Sequence, residues 1–126
     1  MSMKTQDLKA SGTEDLIAHF RKVSARHGRL LNARDTRAAN KDYLLAAAVR
    51  KELRTRGPDA EKCLLILLAD PEPGTRYWAA TAALGFAPSE AERALALLAE
   101  PPPTLLSVSA AMTLDAWKNG TLPLEE

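Results

Sequence analysis

Apolar positions recur three and four residues apart along most of the chain, the spacing of one face of an α-helix. Leu16, Ile17, Phe20 and Val23 form the first such stripe. Ser11 and Glu14 are spaced for a capping box before it. His27 supplies a cation in the last turn and Gly28 a left-handed stop, so a first helix is predicted over 13–27. Residues 1–12, polar and uncapped, are predicted to fray. The second stripe is Leu45, Val49 and Leu53 with Ala38 and Ala46 at its edges, capped by Asp35 or Asn40 and ended by Gly57-Pro58. A third helix over 59–69 is apolar on nearly all sides from Cys63 to Leu68, which predicts burial. A turn with two prolines precedes a fourth helix over 76–87, to which Pro73 can add a first turn. Pro88 opens a fifth helix, with Ser89 and Glu92 spaced for a second capping box and Leu95, Leu97 and Leu98 as core positions. The triple proline 101–103 turns the chain into a sixth helix over 104–118, stopped by Asn119-Gly120.

The second half of this pattern repeats. A step of thirty residues takes Pro58 to Pro88, Leu65 to Leu95, Leu67 to Leu97, Leu68 to Leu98 and Pro71 to Pro101. It also takes Ala80 to Ala110 and Leu84 to Leu114. Each unit reads as helix, proline-marked turn, helix, which is the signature of stacked helical pairs. The predicted fold is therefore all-α: an α-α superhelix of about six helices in three antiparallel pairs, one domain over 13–120, with a short tail at 121–126.

At 126 residues, 46% apolar and 26% charged, the chain has the composition of one ordinary globular domain. Only 5% is aromatic. The apolar mass is Ala and Leu, strong helix formers that let helices approach closely. No apolar run nears the roughly 20 residues of a membrane span. The opening residues lack the apolar stretch of a secretory signal, and a single cysteine fits a reducing compartment, so a cytoplasmic protein is expected. The net charge of +1 is unevenly spread: residues 1–62 hold 14 Lys/Arg against 8 Asp/Glu, and residues 63–126 hold 3 against 8. Such a dipolar chain suits a charged partner or simply well-solvated helix faces.

Chemistry is sparse. His19 and His27 have no further ligand-type residues beside them, and a metal site needs three or four converging donors. Cys63 lies in the most apolar stretch without a base, which predicts an inert thiol. The glycines are isolated, mostly at predicted helix ends, and make no phosphate-cradling loop. Gly85 is the exception, inside the fourth helix, where it permits close helix approach or opens space beside Trp78. Neither a catalytic constellation nor a cofactor motif emerges, so no enzyme, metal or cofactor is expected.

Asp70, Arg76, Ala79, Ala80 and Leu84-Gly85 resemble the Asp, Arg and Ala-Ala-x-x-Leu-Gly positions of HEAT-like repeats over residues 58–118. That resemblance implies a structural Asp and Arg tying the turns of adjacent repeats together. The second unit departs from it, with Glu100 and Leu106 at the corresponding places. The run 111–120, with Glu52-Leu53-Arg54 and the run 67–71, is also similar to a family of short bacterial proteins of uncharacterised function.

Three surfaces follow. Trp78 falls roughly 120–160° from Ala80 and Leu84 on a helical wheel, over the small Thr81, Ala82 and Gly85. It is either an anchor for a protein or peptide, flanked by Arg50, Lys51 and Arg54, or packing against a neighbouring helix. Arg34, Arg37, Lys41, Arg50, Lys51 and Arg54 flank the second helix and offer phosphate contacts in a nucleic-acid alternative, which the acidic C-terminal half disfavours. The sixth helix has a spare apolar stripe at Leu105, Val108 and Met112, to be covered by a second copy of the chain or by the tail around Leu122 and Leu124.

Overall fold

A computed structural model describes residues 5–122. Among them there are seven helices and no strand: α1 Thr5–Ala10, α2 Thr13–Asn32, α3 Thr36–Arg54, α4 Pro58–Leu67, α5 Pro73–Ala83, α6 Pro88–Leu98 and α7 Leu105–Lys118. The six helices expected from the sequence are α2 to α7, and α1 is additional. Prolines open α4, α5 and α6, where a missing N–H costs nothing and the fixed φ suits a first turn. Consecutive helices pack as α2 with α3, α4 with α5 and α6 with α7, and α5 packs also against α2 and α6. No helix among the described residues is long and apolar enough to cross a membrane.

The core has two joined parts. Leu16, Phe20, Val23, Val49, Leu53, Leu64 and Trp78 fill the first, between α2, α3, α4 and α5. Ala80, Leu84, Ala91, Leu95 and Ala110 fill the second, with Leu114, Trp117 and Leu122 packed on it. In α4 the buried positions are Ala60, Leu64 and Leu67, and in α6 they are Ala91 and Leu95. That is a step of thirty-one, not thirty, so α6 is rolled by one residue, about 100°. Leu97 is turned outward, 58% exposed, instead of matching buried Leu67.

Residues 5–10 are helical rather than frayed. Leu8 is buried, 4% exposed, and the guanidinium of Arg56 donates to the carbonyls of Leu8 (3.0 Å), Lys9 (3.3 Å) and Ser11 (2.8 Å). Arg56 thus satisfies the last carbonyls of α1 from the far end of α3, while Glu52 holds its Nε at 3.0 Å. Neither predicted capping box forms: the N-cap of α2 is Gly12 and that of α6 is Ala87, both without a side-chain cap. A capping box with no expected counterpart opens α7, where Thr104 and Ser107 bond each other's backbone N–H at 3.0 and 2.7 Å.

Gly28 does not stop α2, which runs to Asn32. Gly28 and Gly74 instead mark the crossing of α2 and α5: a Cβ on Gly28 would lie 2.7 Å from the Gly74 Cα. Ser24 and Thr75 fill the same crossing with a buried hydroxyl pair at 3.0 Å, and Thr75 donates to the Arg21 carbonyl. The actual stop is at Arg34, with φ of 63°. Its N–H reaches the Leu31 carbonyl and that of Asp35 the Leu30 carbonyl, both at 3.0 Å, a Schellman motif built on a non-glycine. Asp35 then caps α3 through Ala38 N–H at 3.2 Å.

Asp70 is buried and ties neighbouring pairs together, but through Arg21 of α2, whose Nε lies 2.6 Å away. It also accepts from the Glu72 N–H at 3.0 Å. Arg76, the partner implied by the repeat resemblance, leaves its buried Nε without a hydrogen-bond partner.

Candidate functional site

Trp78 is not an exposed anchor. Its ring is buried, 1% exposed, because α5 is enclosed on several sides rather than presenting one core face. Its Nε1–H donates to His27 Nδ1 at 3.0 Å. His27 is correspondingly not an exposed cation at a helix end but a buried imidazole in the body of α2, its pKa lowered by burial, against which Asp42 pulls upward. An acceptor at Nδ1 requires that nitrogen to be unprotonated.

Above Trp78 lies what does reach solvent. Tyr43 on α3 is 47% exposed and meets Trp78 at 5.2 Å between ring centroids, tilted by 63°, and His27 at 5.9 Å. Arg50, one further turn pair along α3, lays its guanidinium 4.9 Å from the centre of the Trp78 ring and donates to Thr81 Oγ1 at 2.8 Å. Thr81 in turn donates to the Trp78 carbonyl at 2.7 Å. On the other side, Tyr77 stands edge-on to Trp78 at 6.2 Å, and its hydroxyl lies 3.0 Å from Thr113 Oγ1 on α7. Burial pushes the Tyr77 pKa up, against the Thr113 hydrogen bond. Three helices, α3, α5 and α7, are thereby linked in a row by polar contacts laid over one buried indole.

A cavity of about 260 Å³ adjoins this row, with Arg50, Arg54 and Glu61 at its polar side and Leu53, Leu64 and Phe86 at its apolar side. Gly85 lines it, and a Cβ there would meet only one atom within reach, the Ala82 carbonyl at 3.9 Å. Gly85 therefore opens space, and close helix approach belongs to Gly28 and Gly74.

The six cations of the nucleic-acid alternative are not brought together. Arg37, Lys41 and Lys51 are exposed on one strip of α3 beside Leu44 and Ala48. Arg50 and Arg54 lie on another strip with Tyr43 and Ala47, roughly 110° away around the helix. Arg34 is exposed on the left-handed turn after α2, off the α3 helix altogether. On α7, Val108 and Met112 are exposed and Leu105 is half-buried. Leu122 packs on the second core instead of over that stripe, and Leu124 lies outside the described residues.

Cys63 is a free, half-buried thiol. Among the described residues no group of three His, Cys, Asp or Glu side chains is placed to hold a metal ion. Tyr43 went unmarked in the sequence reading. Its signal was the spacing to Arg50, seven residues and two turns along one strip.

No curated protein matches the chain. The fold is similar to the crystal structure of the protein RPA1889 from Rhodopseudomonas palustris CGA009, with 29% identity and a TM-score of 0.80 over 94% of this chain and 98% of that one. Residues 14–118 match the profile of a domain of unknown function, DUF2019, and the chain belongs to that family.

Proposed function

We propose that this is a non-enzymatic protein-interaction module of HEAT-like helical pairs, working in the cytoplasm, whose binding face is the row α3, α5 and α7. The observation that carries the reading is Tyr43. It offers a large half-exposed ring already held by Trp78 and His27, so a partner that covers it loses little further side-chain freedom. Tyr and Arg are the residues that most often carry interface energy, and Arg50 and Arg54 stand beside it on the same strip. The neighbouring cavity suits one protruding side chain of a polypeptide partner, with Arg54 ready for a carboxylate. The division of the six cations between two strips and a turn supports a protein partner over nucleic acid.

The test is affinity co-purification from the native host with wild-type protein, Tyr43→Ala and Arg54→Glu. Both variants are expected to fold, Arg54→Glu melting like wild type and Tyr43→Ala somewhat lower for its lost ring contacts, and both to lose the captured polypeptide. Capture undiminished by either change overturns the assignment of the face. Capture of nucleic acid that weakens steeply with salt points to phosphate binding and overturns the reading itself.

A further inference from the structure

On the side of α3 opposite Tyr43 and Arg50, α2 and α3 leave a second cavity of about 400 Å³. Its polar lining is His19, Lys22 and Arg26 from α2 with Lys41 and Asp42 from α3. Arg26 and Asp42 neutralise each other through two hydrogen bonds, Nε to Oδ2 at 2.6 Å and Nη2 to Oδ1 at 2.9 Å. That pair forms a closed bridge across the two helices, and the charge left over is that of Lys22 and Lys41. Neither lysine makes an ion pair among the described residues. His19 adds a buried Nε2 with no hydrogen-bond partner. Its pKa is lowered by burial first and then by Lys22 and Arg26, so the ring is neutral and the field around it is positive. Val23, Leu30, Ala38 and Leu45 complete the lining with apolar surface.

We infer that this cavity is a binding site for a small amphipathic monoanion, a carboxylate on a short apolar body. Lys22 and Lys41 take the carboxylate, His19 Nε2–H can donate to it, and the body lies on Val23, Leu30 and Leu45. The volume is that of a small-molecule site, and its lining is mixed, with charged groups on one part and aliphatic side chains on the other, as an amphipathic ligand requires. Phosphate is disfavoured because it has no apolar body to lay on Val23, Leu30 and Leu45. An unpaired buried imidazole nitrogen is a cost that a ligand oxygen removes. This site is separate from the α3–α5–α7 face, and its fate does not depend on that reading.

Octanoate, octanol and inorganic phosphate are the probes, titrated into the full-length protein by calorimetry and by amide NMR. Octanoate is expected to bind one-to-one, with shifts confined to α2 and α3 and to the His19 ring. Octanol and phosphate are expected to bind at least about tenfold more weakly. Lys22→Glu with Lys41→Glu should lose octanoate binding by about tenfold or more, whereas Lys51→Glu, outside the cavity, should keep it. If charge reversal unfolds the protein, Lys22→Ala with Lys41→Ala replaces it under the same expectation. Equal binding of octanol overturns the recognition of charge, and equal binding of phosphate overturns the apolar part. No saturable octanoate binding at millimolar concentration, or binding indifferent to both lysines, overturns the site.

Discussion

Trp78 and Tyr43 exchange the roles that a single-helix wheel gives them. The wheel assumes one core face per helix, and α5 has neighbours on several, so its off-face indole is the largest fully buried side chain among the described residues. A buried Trp needs a partner for its N–H, and it has His27. This bond makes a pH dependence. The folded-state pKa of His27 is lowered below the ordinary value of 6.5, so the unfolded chain takes up a proton first as pH falls. Stability is therefore unaffected well above that value, declines as pH drops below it, and levels off only once the folded protein also protonates. His19 shifts in the same direction and adds to the slope. Melting temperature should fall between about pH 7.5 and pH 5.5, and His27→Asn, which keeps an acceptor for Trp78 but cannot titrate, should flatten the slope. A slope unchanged in that variant removes His27 from the account. Trp78→Phe should cost about 1–3 kcal/mol in denaturant unfolding, since it leaves a buried acceptor unmet.

At the level of elements, the helices α2 to α7 were legible because apolar spacing and N1 prolines are local signals. The roll of α6, the reach of Arg56 to α1 and the α2–α5 crossing were not, because each depends on residues far apart in sequence. Six residues with one large apolar side chain, Leu8, give no helix signal, and α1 is held by an arginine more than forty positions away. Gly28 is the instructive case. Its sequence context, after His27, is that of a helix stop, yet it sits mid-helix because Gly74 must lie against it. Gly28→Ala gains helix propensity worth about 1 kcal/mol but drives its Cβ into backbone, where overpacking costs typically 1–3 kcal/mol. The backbone cannot step aside as a side-chain tip can, so the net effect should be a lower melting temperature. Gly85→Ala meets open space and should leave the melt unchanged or slightly raised. If Gly28→Ala is as well tolerated as Gly85→Ala, the α2–α5 crossing is looser than described.

For the whole molecule the open question of surface is α7. A terminal helix in a stack of pairs has a neighbour on one side only and needs a polar outer side. Here Met112 is 66% and Val108 46% exposed, and the tail as far as Leu122 turns back onto the core side, with the N–H groups of Thr121 and Leu122 on the Ala116 carbonyl at 2.9 and 3.1 Å. The stripe is thus uncovered by residues 5–122, which is the condition for a two-fold contact between copies. Area decides against a stable one. A specific interface buries about 1,200–2,000 Å² in total, and two exposed side chains with half-buried Leu105 make a patch of the few hundred Å² that monomers carry. The flanking Asp115 and Lys118 are exposed and would have to be paired or desolvated on association. Light scattering on the full-length protein at tens of micromolar should accordingly give a monomeric mass, unchanged by Met112→Glu in a variant that still folds. A dimeric mass that Met112→Glu reduces to monomer would show instead that α7 is an interface between copies, with contacts beyond Leu105, Val108 and Met112 making up the missing area.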